Sequence, residues 1–169
     1  MGTAGASPAP LLAPTTLPAT GHSFGPWPIN ETEIFAHTAL SFATVNLKPI
    51  VPGHTLIIPK RVVSSFLDLR PDEVADLWWL AQTVARHLQP HYHATASTFA
   101  IQDGPAAGQT VPHVHVHVLP RSEGQFERND QVYDELLANE QALPGTLQVD
   151  ADEVRSSKRR RNDGSEIIT

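Results

Sequence analysis

Histidine at every second position, His113, His115 and His117, interleaved with Val114, Val116 and Val118, constrains the fold of this chain more than any other stretch. A two-residue period is the period of an extended strand, whose alternate side chains point to opposite faces. Read as a strand from Val111 to Leu119, closed by Pro120, the segment sends its valines to a core. Its histidines then form a row on the other face, each about 6.5 Å from the next. Imidazoles with an ordinary pKa near ~6.5 would stand there ready to gain or lose charge around neutral pH. Three roles fit such a row. It can be a solvated polar face. It can be a metal site, with His54 on another strand as a distant third ligand. It can do phosphate chemistry, where imidazoles attack phosphorus, neutralise charge and donate protons.

The surrounding pattern says what carries that strand. Leu40 to Asn46 alternates and reads as a strand; Pro49, Pro52 and Gly53 mark a turn; His54 to Pro59 reads as a buried strand ended by its proline. A short connector makes these two an antiparallel hairpin. A helix follows. Pro71 suits its first position, and Asp72 and Glu73 favour the positive end of its dipole. Val74, Leu77, Trp78, Ala81, Val84, Ala85 and Leu88 repeat at three and four residues as one apolar stripe, with Trp78 in the core, Trp79 off the stripe and Pro90 as the stop. Ser97 to Gln102 reads as a third strand and Asp103 to Thr110 as a small-residue loop. A last helix is expected from about Asn129 to Gln141, with Val132, Leu136 and Leu137 on one side. Strands, helix, strands, helix predict an α+β fold with a mainly antiparallel sheet.

Composition excludes several functions. With no cysteine among 169 residues, disulfides, cysteine-ligated zinc and thiol catalysis all drop out. Twelve Lys+Arg against eighteen Asp+Glu give a net charge of −6, which argues against nucleic-acid binding through a broad basic surface. No apolar run approaches the ~18 residues needed to span a membrane. Neither a Gly-x-x-x-x-Gly-Lys nor a Gly-x-Gly-x-x-Gly loop is present. The expected organisation is a tail over 1–22, one domain over 23–146 and a polar tail over 147–169. The last contains the basic run Lys158 to Arg161, read first as a solvated tail and second as a nuclear import signal. The expected location is cytoplasmic, with nuclear entry if that run is a signal.

The wider segment from Gln102 to Arg121, with Gln102-Asp103-Gly104-Pro105 and Gly108-Gln109-Thr110 ahead of the histidines, resembles the fragile histidine triad branch of the histidine-triad superfamily. Leu40-Ser41-Phe42, Val51-Pro52-Gly53-His54, Asp68 to Leu77, Arg128-Asn129-Asp130 and Tyr133-Asp134-Glu135-Leu136 continue the resemblance, which covers roughly 24–137. It implies a sheet of about five strands packed with two helices and continued across a homodimer. It also implies hydrolysis of diadenosine triphosphate to AMP and ADP. Position by position, His115 matches the nucleophile, and His113 the residue whose main-chain carbonyl fixes its tautomer. His117 and His54 match groups on the phosphate oxygens. Gln102 and Gln109 match amide donors to the polyphosphate, and Asn46 the ribose contact. Phe24, Ile29 and Leu56 fall where the family lines its adenine pocket. No tightly bound cofactor or protein metal is implied; magnesium or manganese would accompany the polyphosphate.

Other functions compatible with these motifs are another histidine-triad hydrolase, such as a nucleoside phosphoramidase, and a nucleotide-binding signalling protein whose occupied state is read by partners. Trp79 beside Trp78 on a helix adds a candidate anchor for the dimer.

Overall fold

The protein is described by a computed structural model over residues 21–141. The expected tails and the basic run lie outside the described residues, save for Gly21 and His22. A two-stranded hairpin, β1 (His22–Phe24) and β2 (Trp27–Ile29), precedes a five-stranded sheet. The sheet is made of β3 (Ile34–His37), β4 (Ser41–Val45), β5 (Thr55–Pro59), β6 (Ala96–Ala100) and β7 (Val116–Arg121), in the order β3-β4-β5-β7-β6. Every neighbouring pair is antiparallel. Helix α1 (Pro71–His91) joins β5 to β6, and α2 (Gln131–Gln141) follows β7. Among the described residues no helix is long and apolar enough to cross a membrane.

Strand β7 therefore lies between β5 and β6, paired on both sides. Its alternation does what a two-residue period requires. Val116 and Val118 join Val114, Ala43 and Ile57 against Leu77, Leu80, Ala81, Val84 and Ala85 of α1, all nearly inaccessible to solvent. The opposite face of β4 and β5 gathers Phe42, Leu56 and Ile58, with Phe24, Ile29 and Ile34 packed on them. A third cluster seats α2 through Val132 and Leu136 on Val51 and Leu119. Leu137, expected on the same side, is instead 44% exposed.

The buried stripe of α1 differs from the sequence expectation. Its members are Glu73, Leu77, Leu80, Ala81, Val84 and Ala85. Trp78 is 38% exposed and rests against Phe99 of β6, ring centroids 6.2 Å apart, instead of entering the core. Both spacings hold apolar residues, so periodicity alone does not choose between the faces. The residues that pack on the sheet are Leu77, Leu80, Ala81, Val84 and Ala85. Pro90 does not stop the helix either. In the last turn a proline removes only its own donor, and the chain continues to His91, closed by the Tyr92 N–H donating to the Leu88 carbonyl at 3.0 Å.

Glu73 is a buried carboxylate with two cationic neighbours. It accepts two bonds from Arg61, at 2.7 and 2.6 Å, and the Arg70 N–H at 2.8 Å. The Arg61 guanidinium holds the Glu73 pKa down at about 2 from its ordinary 4.5. A depressed carboxylate pKa stabilises the fold above the unfolded value and loses that stabilisation as pH falls toward the folded one. Glu73→Gln is thus expected to lower the melting temperature at neutral pH. The gap to wild type should narrow as the pH drops from about 4.5 to about 2, checked by thermal melts across that range. A gap independent of pH would show that the charge of Glu73 contributes nothing.

Candidate active site

The histidine row begins before the ladder does. Strand pairing starts at Val116, not Val111. The lead-in is held by the His113 N–H donating to the Val111 carbonyl at 2.7 Å and the Val114 N–H donating to the Val63 carbonyl at 2.7 Å. The valines still share one side and the imidazoles the other. The His115 and His117 ring centroids are 4.9 Å apart, closer than ideal strand spacing. His54, immediately before β5, completes the group: its ring lies 5.2 Å from that of His117. All four histidines are almost fully buried.

Their hydrogen bonds fix which nitrogen carries each proton. A carbonyl oxygen can only accept, and a backbone N–H can only donate. The His115 Nδ1 lies 2.8 Å from the His113 carbonyl oxygen. Nδ1 must therefore hold the proton, and the lone pair sits on Nε2. The Ile50 N–H, which can only donate, meets the His54 Nδ1 at 3.3 Å; the Asn46 amide nitrogen lies 3.4 Å from Nδ1 and 3.2 Å from Nε2 and does not choose between them. The His54 proton is therefore on Nε2, which donates to the His117 Nδ1 at 2.9 Å. His117 in turn carries its proton on Nε2. Asn46 is itself oriented by the Lys48 N–H donating to its Oδ1 at 3.1 Å. The chain from Ile50 through His54 to His117 ends in one aimed donor.

The His113 ring is held by a different set of partners. The Gly25 N–H donates to its Nδ1 at 3.0 Å, and its Nε2–H donates to the carbonyls of Pro59 at 2.9 Å and Arg61 at 3.2 Å. Burial pushes the His113 pKa down to about 4. Burial, then repulsion from His115 and His54, holds His117 well below the usual 6.5. The sequence suggested a row titrating near neutrality. Burial keeps both of these rings neutral there, as donors of fixed direction and not as cations.

Phe24, Ile29 and Leu56 share one apolar cluster with Phe42 and Ile58. Phe24 meets the His115 ring edge-on at 4.9 Å, so the cluster borders the imidazole. His22, given no role by the sequence, stacks on Phe42 at 5.1 Å. Asn46 stands at the opposite end, beside His54.

The loop after β6 places the two glutamines differently. Gln102 lines a cavity with Phe99, Tyr133 and Leu137. Gln109 closes its own loop: its Oε1 accepts the Gly104 N–H at 2.8 Å and its amide donates to the Ser64 carbonyl at 2.9 Å. Gly108 has φ +93°, and a Cβ there would fall 2.6 Å from the Gln102 Nε2. The positive φ is what calls for glycine, since the Gln102 side-chain end could swing aside. Asp103, part of the loop motif but given no role of its own in the sequence, accepts the Phe66 N–H at 2.8 Å and the Ser65 hydroxyl at 3.1 Å. It ties the loop to the segment ahead of α1. An acidic residue capping a distant turn leaves no periodic trace. Among the described residues no three His, Cys, Asp or Glu side chains are grouped to hold a metal ion. The His54 and His117 rings are hydrogen-bonded to each other at 2.9 Å.

The HIT domain model matches residues 28–124. The chain is similar to the Arabidopsis thaliana bifunctional bis(5'-adenosyl)-triphosphatase/adenylylsulfatase FHIT, 49% identical over 138 residues, 82% of this chain and 77% of that protein. It is similar to the Dictyostelium discoideum bis(5'-adenosyl)-triphosphatase, 53% identical over 113 residues, 67% of this chain and 76% of that protein. Among solved structures it resembles the Plasmodium falciparum diadenosine triphosphate hydrolase in complex with cyclomarin A, with a TM-score of 0.62 and 31% identity. That likeness covers 75% of this chain and 86% of the other.

Proposed function

The chain belongs to the histidine-triad (HIT domain) family, and from that premise we propose that it hydrolyses dinucleoside polyphosphates, splitting diadenosine triphosphate into AMP and ADP through a nucleotidyl-histidine. The bond from the His115 Nδ1 to the His113 carbonyl carries this reading. It fixes the one neutral tautomer whose Nε2 lone pair can attack phosphorus.

In the first step the His115 Nε2 bonds to the α-phosphorus and the bridging P–O bond breaks, releasing ADP. The positive charge left on the ring is drawn toward the His113 carbonyl. The His117 Nε2–H, aimed by His54, hydrogen-bonds a non-bridging oxygen as charge builds there, the main service phosphoryl transfer asks of a protein. In the second step water bonds to phosphorus and the Nε2–P bond breaks. His115 leaves neutral and the water's proton passes to solvent. Phe24, Ile29 and Leu56 hold the adenine of the AMP half, Asn46 its ribose, and Gln102 the polyphosphate. Gln109 reaches that polyphosphate only by releasing the Ser64 carbonyl. Magnesium or manganese travels with the polyphosphate and masks its charge.

Comparing turnover of diadenosine triphosphate, diadenosine tetraphosphate and adenosine phosphoramidate tests the substrate class. The expected result is AMP and ADP from the triphosphate as the fastest reaction. Preferred cleavage of the phosphoramidate would move the protein to the phosphoramidase branch.

A homodimer belongs to the same proposal. Trp79 is 51% exposed, and with Trp78, Gln82 and Phe99 it lines one surface depression beside β6, an edge strand of the sheet. Exposed aromatics next to an open edge suit an isologous contact that continues the sheet. Sedimentation should show a dimer at micromolar concentration, weakened by Trp79→Ala. A monomeric wild type would overturn the dimer. A dimer indifferent to Trp79→Ala would remove only the anchor.

A further inference from the structure

The side chain of His113 takes no part in the steps above, yet it is fully buried and bonded at both nitrogens. On one side it reaches the carbonyls of Pro59 and Arg61, at the end of β5. On the other it accepts the N–H of Gly25, the residue at the tip of the β1–β2 hairpin. That hairpin is outside the five-stranded sheet, and it contributes Phe24 and Ile29 to the apolar pocket. The Phe24 ring lies 6.1 Å from the His113 ring and 4.9 Å from the His115 ring.

Gly25 is shaped for this contact. Its φ is +57°, and a Cβ there would fall 2.8 Å from the Val111 Cγ1. Only glycine lets the backbone come close enough to offer its N–H to the imidazole. The partner is also kept in the state the contact needs. A protonated His113 would set a donor against the Gly25 donor, and burial holds the ring neutral.

We infer that His113 is a positioning residue whose side chain docks the N-terminal hairpin over the nucleoside pocket and so sets affinity for the base, while its main-chain carbonyl separately orients His115. One residue then ties base recognition to the nucleophile. The side-chain role is a matter of binding and the carbonyl role a matter of chemistry. Any side chain at position 113 keeps the carbonyl, so substitution separates the two.

This inference rests on the hydrolase reading above, and its test keeps the two apart. The probes are the p-nitrophenyl ester of AMP and the p-nitrophenyl ester of ribose 5-phosphate, which lacks the base. His113→Phe keeps bulk and loses both hydrogen bonds. It should raise KM for the AMP ester by about tenfold, with a much smaller change in kcat and no comparable change in KM for the baseless ester. His113→Gln, whose amide again offers one acceptor and one donor, should recover most of the loss. Gly25→Ala leaves the histidines untouched and should reproduce the KM effect, which covers the case of a poorly folded His113→Phe. Equal loss of kcat on both esters with KM unchanged, or Gly25→Ala with wild-type KM for the AMP ester, overturns the inference. If wild type cleaves neither ester, the hydrolase reading fails. AMP binding by calorimetry then decides the inference alone: weakening by both substitutions supports it, and unchanged affinity rejects it.

Discussion

Replacing His115 with Asn is expected to reduce turnover of diadenosine triphosphate by well over about a hundredfold while nucleotide binding stays near wild type. The amide fits the space and can still donate to the His113 carbonyl, so the pocket built on Phe24, Leu56 and Phe42 is undisturbed. It has no nucleophilic lone pair to offer phosphorus. General acid–base help alone is worth ~10²–10⁴, so a variant retaining more than about a hundredth of the wild-type rate would give His115 an auxiliary role. Single-turnover kinetics and calorimetry with a non-hydrolysable analogue read the two quantities separately. Loss of binding together with turnover would mean that His115 holds the substrate instead of attacking it.

His117→Ala should lower kcat by about a hundredfold, with a smaller effect on KM, because one preorganised donor to a developing charge is worth roughly that much. The donor is aimed by two residues behind it. The Ile50 N–H fixes His54, and the His54 Nε2–H fixes His117 at 2.9 Å. His54→Ala keeps the His117 imidazole but no longer fixes its tautomer or direction, so its loss should be the smaller of the two. Steady-state kinetics on both variants test the order. A larger loss for His54→Ala would place His54, not His117, on the phosphate.

The parts of this molecule that follow from periodicity are legible in the sequence. The two-residue alternation around His115 placed valines and imidazoles on opposite faces, although hydrogen-bonded pairing begins only at Val116. The hairpin of β4 and β5 was equally plain, because each strand is apolar and bounded by turn residues. Elements with no period were not legible. Strands β1 and β2 are three residues long, and Pro28 lies inside β2, where a proline argues against a strand. Strand β3 is an irregular edge whose register shifts between Ile34 and Ala36. Trp78 lies on an apolar repeat yet packs on Phe99 at the surface, because hydrophobicity marks both of its possible faces.

The site divides in the same way. His115, His117, His113 and His54 stood out by motif, but their protonation depends on backbone groups that a motif does not orient: the nearby Ile50 N–H and His113 carbonyl, and the carbonyls of Pro59 and Arg61, more than fifty residues from His113. Neutrality of His113 and His117 comes from burial, which a strand pattern does not report. Asp103 and Gly25 act by tying together segments 37 and 88 residues apart, and no local pattern names the partner of either.

A covalent His115 intermediate requires two displacements at the α-phosphorus, and stereochemistry counts displacements. The substrate would be a dinucleotide made chiral there by sulfur, hydrolysed in heavy-oxygen water, with the configuration of the released nucleotide read by phosphorus NMR. Two in-line steps invert twice and give net retention, the predicted result. Net inversion would mean that water attacks phosphorus directly and that His115 is not the nucleophile.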